Sequence, residues 1–128
     1  MGAALKYLQS IGLHRIQKWE SELTHYLFNN LEKIKEVKIL GPSPKIQPNR
    51  GALASFAITG MHANDIAEIL NNNQIFIRSG HHCCQPLHRH YSLTGSARAS
   101  LSFTTTYNEI DRFLDELSSS IKFLKEYS

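Results

Sequence analysis

Ala97-Arg98-Ala99-Ser100-Leu101-Ser102-Phe103 alternates side chain by side chain. Ala97, Ala99, Leu101 and Phe103 therefore share one face of an extended strand, and Arg98, Ser100 and Ser102 the other. Such a strand packs small and apolar residues into a core while aiming a guanidinium away from it. Downstream, Thr106-Tyr107-Asn108-Glu109 is a capping box, and Ile110, Phe113, Leu114, Leu117, Ile121 and Leu124 follow at helical spacing, predicting a long core-facing helix. Upstream, residues 78–94 (RSGHHCCQPLHRHYSLT) have no sustained periodicity, yet hold both cysteines and four of the seven histidines. Ile75-Phe76-Ile77 reads as a strand leading into that loop.

Further toward the N-terminus, Met61 to Asn73 places Ile66, Ile69 and Leu70 on one helical face and stops at three asparagines. His62 stands at the start of this helix, with Asn64 or Asp65 placed to help cap it. Val37-Lys38-Ile39-Leu40 and Ala52 to Ile58 read as two strands joined by a polar, proline-bearing loop from Ser43 to Arg50. Two helices open the chain, broken at Gly12, and Trp19 and the other helical aromatics are expected in the core. Met1 to Ser10 begins in helical sequence without a capping residue, as expected of a chain cut from a longer one. The predicted order is α-α-β-β-α-β-loop-β-α. Regular βαβ alternation is too sparse for a doubly wound sheet, so the expected class is α+β: a two-layer domain with a small mixed or antiparallel sheet and helices packed on one face.

A length of 128 residues fits a single domain spanning 1–128, and 41% hydrophobic with 20% charged residues is the composition of a chain that closes a core. No apolar run approaches the roughly 18–20 residues needed to cross a bilayer. The net charge of +3 is scattered, with no basic stripe of the kind that binds nucleic acid. Cys83 and Cys84 are adjacent, useless for closing a loop, and point to a reducing, cytoplasmic setting and to thiol chemistry. Gly80 permits close backbone approach before them and Pro86 stiffens the exit after them. Positive charge on Arg78, His81 or His82 would favour the thiolate, the attacking species. Zinc is the competing reading, but His81, His82, Cys83 and Cys84 are consecutive, and paired zinc ligands are usually two to four residues apart. A zinc site would have to borrow His88 or His90, which read as surface residues of a short turn. No metal site is therefore expected, and the alternative to an enzyme is a non-catalytic module that binds zinc through this loop or uses its thiols to dock a partner. Arg98 can clamp a planar carboxylate through two parallel donors, unless a nearby Asp or Glu pairs with it.

Arg78-Ser79-Gly80-His81-His82-Cys83, with Gln85-Pro86-Leu87 and Arg98-Ala99-Ser100, resembles the active-site segment of group II cysteine desulfurases of the sulfur-mobilisation (SUF) type. The resemblance extends from Gly2-Ala3-Ala4-Leu5 through Gly41-Pro42 and the helix around Asp65, and corresponds to that family's C-terminal small domain. It implies the fold of the small domain of fold-type-I, aminotransferase class V enzymes. It also implies a pyridoxal phosphate cofactor anchored by a lysine of the large domain, which follows a histidine; no His-Lys pair occurs among the eight lysines here. The chain alone is thus expected to hold no cofactor and to be inactive. By the same resemblance, Cys83 takes the sulfur of L-cysteine as a persulfide and leaves alanine, Arg98 binds the substrate carboxylate, and Arg78 and His82 are supporting motif positions. Selenocysteine lyase activity is close kin. Acceptor proteins of the SUF system, iron-sulfur cluster assembly and a homodimer of the full-length protein are the implied setting. For the non-catalytic module, the resemblance makes the docked partner a sulfur-transfer protein. Cys84 departs from the pattern, standing where the family usually has alanine.

Overall fold

The alternating stretch forms a central strand of the sheet because both of its neighbours can pair with it. In the computed structural model, which describes residues 1–127, the elements are α1 (Gly2–Ile11), α2 (Leu13–Leu31), β1 (Val37–Leu40), β2 (Leu53–Ile58), α3 (Ala63–Asn72), β3 (Arg78–Gly80), α4 (Gln85–His90), β4 (Ser96–Ser100) and α5 (Tyr107–Tyr127). The four strands run β1-β2-β4-β3, each pair antiparallel. Ala54 lies opposite Ala99, and Phe56 opposite Ala97. These four residues are buried and form the face on which α2, α3 and α5 pack, with Leu27, Leu70 and Leu117 at the centre of the core. The expected two-layer α+β architecture is what forms, with a sheet that is wholly antiparallel.

Side-chain bonds lock the helical layer. Tyr26 of α2 donates to Asp111 Oδ1 of α5 at 2.6 Å, which raises the Tyr26 pKa above its usual 10.0. Trp19 is half-buried, donates to the Thr105 carbonyl at 3.2 Å and meets Tyr107 edge-on. The capping box forms as read, with the Thr106 amide donating to Glu109 at 2.8 Å and the Glu109 amide to Thr106 Oγ1 at 3.3 Å. Arg50 donates to the Leu53 carbonyl at 3.2 Å and lies 4.3 Å above the Phe28 ring. This cation–π contact fastens the proline-bearing loop to α2. Gly12, at φ 99°, makes the break between α1 and α2 that the sequence places there.

Five expectations need correction, the first being the helical aromatics as core residues, since Tyr7, Tyr107 and Phe123 are exposed. The third strand is Arg78–Gly80, not Ile75-Phe76-Ile77, because the Ile75 amide bonds back to the Leu70 carbonyl and ties that triplet to the end of α3. Phe76 is left 77% exposed. β4 stops at Ser100 instead of Phe103, since Ser102 to Thr105 closes a turn in which the Ser102 amide donates to Thr105 Oγ1 at 3.0 Å. In α5, Leu114 and Leu124 are half-buried at the flank of the core. At α3, neither Asn64 nor Asp65 is the cap: His62 caps the helix, its Nδ1 accepting the Asn64 amide at 3.2 Å.

Candidate functional site: the thiol loop and the open face of the sheet

Period-two alternation puts Arg98 and Ser96 of β4, and Leu53 and Ser55 of β2, on the face turned away from the helices. Among the described residues no helix layer covers this face. The loop from β3 to β4, carrying α4, folds over part of it and leaves a cavity of about 310 Å³, whose lining includes Leu40, Ser55, His82, Cys84, His88 and Arg98. A second cavity of about 250 Å³, between β4 and α5 beside Phe76, holds no thiol.

Two arginines meet on the open face. Arg78 of β3 is the direct cross-strand partner of Arg98, so both project on one side, an arrangement of like charges that costs free energy without an anion. Neither makes an ion pair among the described residues, and Arg98 Nε is buried without a hydrogen-bond partner. The local acidic partner that would have given Arg98 a purely structural role is absent among the described residues. A carboxylate is the group this donor set fits.

The loop is held by its histidines. His82 Nε2 lies 3.0 Å from the Ser96 carbonyl; a carbonyl only accepts, so Nε2 carries the proton and, in the neutral ring, Nδ1 is a bare acceptor. That Nδ1 is buried and unpartnered. Desolvation, with the charges of Arg98, His88 and Arg78, pushes the His82 pKa below its ordinary 6.5, partly opposed by the bond to Ser96. A depressed histidine leaves stability intact above 6.5, where folded and unfolded rings are both neutral, and removes it as pH falls, because the unfolded ring protonates first. Denaturant midpoints at pH 7.5 and 5.5 are therefore expected to drop less in His82→Gln than in the wild type, and an equal drop would contradict the assignment.

His88 was expected at the surface and is instead 3% exposed. α4 begins with Pro86 in its first turn and turns His88 inward, where Nδ1 donates to the Cys84 carbonyl at 3.1 Å and Nε2 accepts from Ser96 Oγ at 2.9 Å. The four-residue spacing between Cys84 and His88, one helical turn, places the two on one helix face but does not say which way that face turns. His90 is exposed, as expected. Among the described residues no three His, Cys, Asp or Glu side chains gather to hold a metal.

Cys83 is exposed, while Cys84 is half-buried and donates its thiol to the His81 carbonyl at 3.1 Å. His82 and Cys83 are successive non-glycine residues with positive φ, 51° and 61°. Such backbone costs about 1–3 kcal/mol per residue and clusters at functional sites. Cys83 is exposed at this strained turn. Gly80 enters the turn at φ 112°, with open space where a Cβ would lie. Gly80→Ala should therefore lower unfolding free energy by about 1–2 kcal/mol through backbone strain alone; calorimetry showing no loss would mean that the loop relaxes freely.

The site is thus an antiparallel sheet with one helical layer, an open face on which Arg78 and Arg98 have no acidic partner among the described residues, and a strained loop in which Cys83 is exposed. The profile of the aminotransferase class-V family matches residues 1–113, and the chain belongs to that family. It is 48% identical over 126 residues to a probable cysteine desulfurase of Synechocystis sp., covering 98% of this chain and 30% of that protein. A cysteine desulfurase of Escherichia coli (strain K12 / DH10B) is 36% identical over 117 residues, 91% of this chain and 28% of that one. Among solved structures, the apo cysteine desulfurase of Thermococcus onnurineus NA1 superimposes with a TM-score of 0.86 at 32% identity, over 94% of this chain and 29% of that one. The chain thus spans about 30% of the length of the curated relative from Synechocystis.

The residues present do not fit a covalently held pyridoxal phosphate: no lysine lines the cleft with Arg98 and His82, so the amine that would anchor the cofactor is missing from it. What the site holds instead is a guanidinium without an acidic partner among the described residues, an imidazole whose pKa is pushed down, and an exposed thiol.

Proposed function

We propose that residues 1–128 are the C-terminal small domain of a cysteine desulfurase, inactive without the large domain, and that Cys83 receives sulfur from L-cysteine. The observation that carries this reading is the buried, unpaired Arg98 Nε in a cleft lined by His82 and Cys84, the two chain neighbours of the exposed Cys83; the identity to desulfurases supports it. Arg98, with Arg78 across the sheet, holds the substrate carboxylate. His82, neutral and tethered to Ser96, shapes the cleft wall and keeps a proton acceptor available there. The Cys83 thiolate forms a bond to the substrate sulfur while the substrate Cβ–S bond breaks. The electron pair stays with the carbon fragment, which gains protons and leaves as alanine, so one thiol and one cysteine become one persulfide and one alanine. A pyridoxal phosphate held by the large domain would supply the electron sink that makes the Cβ–S bond breakable.

In this reading the full-length protein is a cytoplasmic homodimer that passes persulfide sulfur to acceptor proteins of the SUF system for iron-sulfur cluster assembly, and selenocysteine is an alternative substrate. Among the described residues no helix is long and apolar enough to cross a membrane. Arg98 supplies the test. In the full-length enzyme, Arg98→Ala should raise KM for L-cysteine by roughly 10–100-fold, the range expected for losing a charged hydrogen bond, with Arg98→Lys in between. An unchanged KM would remove the carboxylate role.

A further inference from the structure

Cys84 has no part in that reaction, yet its sulfur has a defined place. Its thiol donates to the His81 carbonyl at 3.1 Å, its side chain lines the cleft, and the His88 Nδ1–H, bonded to the Cys84 carbonyl at 3.1 Å, lies 4.0 Å from Cys84 Sγ. A buried imidazole donor is thus shared between the carbonyl and the sulfur of one residue. It can stabilise negative charge on that sulfur.

We propose that Cys84 is a second sulfur position: the persulfide formed on exposed Cys83 is handed to half-buried Cys84 within the same loop. This deepens the desulfurase reading and rests on it. Adjacent Cα atoms are about 3.8 Å apart, closer than the roughly 4.4–6.8 Å that an unstrained disulfide spans, so closure of a Cys83–Cys84 disulfide is disfavoured. In-line exchange has a different requirement. The attacking sulfur, the transferred sulfur and the leaving sulfur lie in a row, which sets the two cysteine sulfurs about two S–S bonds apart, on the order of 4 Å. Neighbouring side chains reach that separation by rotation about χ1.

In the exchange Cys84 gives up its proton and attacks the outer sulfur of the Cys83 persulfide. A new S–S bond forms on Cys84, the old one breaks, and Cys83 departs with the electron pair as thiolate and takes up a proton. No oxidant or reductant is consumed. The relocated persulfide lies in the cleft, near the unpaired Arg98 and the His88 N–H, where soluble thiols reach it less readily. Cys83 is freed.

The test loads the 128-residue chain with glutathione hydropersulfide, removes the donor, and follows alkylated peptides by fragmentation between Cys83 and Cys84. In the wild type, sulfur should appear first on Cys83 and then on Cys84, at a rate independent of protein concentration. Cys84→Ala and Cys84→Ser should keep it on Cys83 and lose it to dithiothreitol at least about fivefold faster than the wild type. Cys83→Ala should load Cys84 at least about tenfold more slowly than the wild type. The relay is overturned if sulfur stays on Cys83 in the wild type, if Cys83→Ala loads Cys84 equally fast, or if transfer scales with protein concentration. Should Cys83 take no sulfur even in Cys84→Ala, the desulfurase role of Cys83 fails, and the relay with it.

Discussion

Cys83→Ala in the full-length enzyme is expected to reduce persulfide formation from L-cysteine by at least on the order of 10³-fold, the scale of losing a covalent nucleophile. Folding should be nearly unaffected, within about 0.5 kcal/mol, because the side chain is exposed and makes no core contact. Cys83→Gly sharpens the point. At φ 61° glycine pays no steric penalty, so this variant should be as stable as the wild type or more stable by up to about 1 kcal/mol, and equally inactive. Strain held at the exposed thiol, and relieved only by replacing it, is what the role proposed for Cys83 requires. Denaturant titration and single-turnover alanine release read the two halves separately. Substantial sulfur transfer by either variant would contradict the role of Cys83.

Phe56→Ala should have the largest effect on stability. Phe56 is fully buried on β2, lies opposite Ala97 of β4, and meets the Phe113 ring at 6.3 Å. Truncating a buried phenylalanine costs about 3–5 kcal/mol in transfer and cavity terms, against a total of roughly 5–15 kcal/mol for a domain. The neighbouring residue in sequence, Ser55, faces the cleft directly across from Arg98. Core and cleft are thus opposite faces of the same strand pair, so loosening the first should also blur the second. Urea unfolding of the chain checks the magnitude. A loss below about 1 kcal/mol would mean that the sheet does not depend on this contact.

Where period and capping chemistry act locally, the sequence was readable: Arg98 on the open side of β4, the Thr106–Glu109 box, and the break at Gly12 all form as their residues dictate. The structure departs from the sequence reading where a particular hydrogen bond near an element's end overrides the apolar pattern. Ile75-Phe76-Ile77 has strong strand character, but the Leu70 carbonyl captures its first amide, and pairing starts at Arg78. His88 looked like a surface histidine because composition says nothing about which way a single-turn helix faces; its burial depends on Ser96, eight residues on, as a hydrogen-bond partner. The pairing of Arg78 with Arg98 was equally hidden, since register across β3 and β4 cannot be read from either strand alone. The motif around Cys83 pointed to thiol chemistry, while the strained backbone that presents the thiol emerged only from the dihedral angles.

The most direct measurement is the mass of the Cys83 peptide after the full-length protein has met L-cysteine and been alkylated and digested. One extra sulfur atom, localised first to Cys83 and formed in step with alanine, is the predicted result. Alanine released with no added sulfur on that peptide, in a protein whose Cys83→Ala variant turns over unchanged, would contradict the account at its centre.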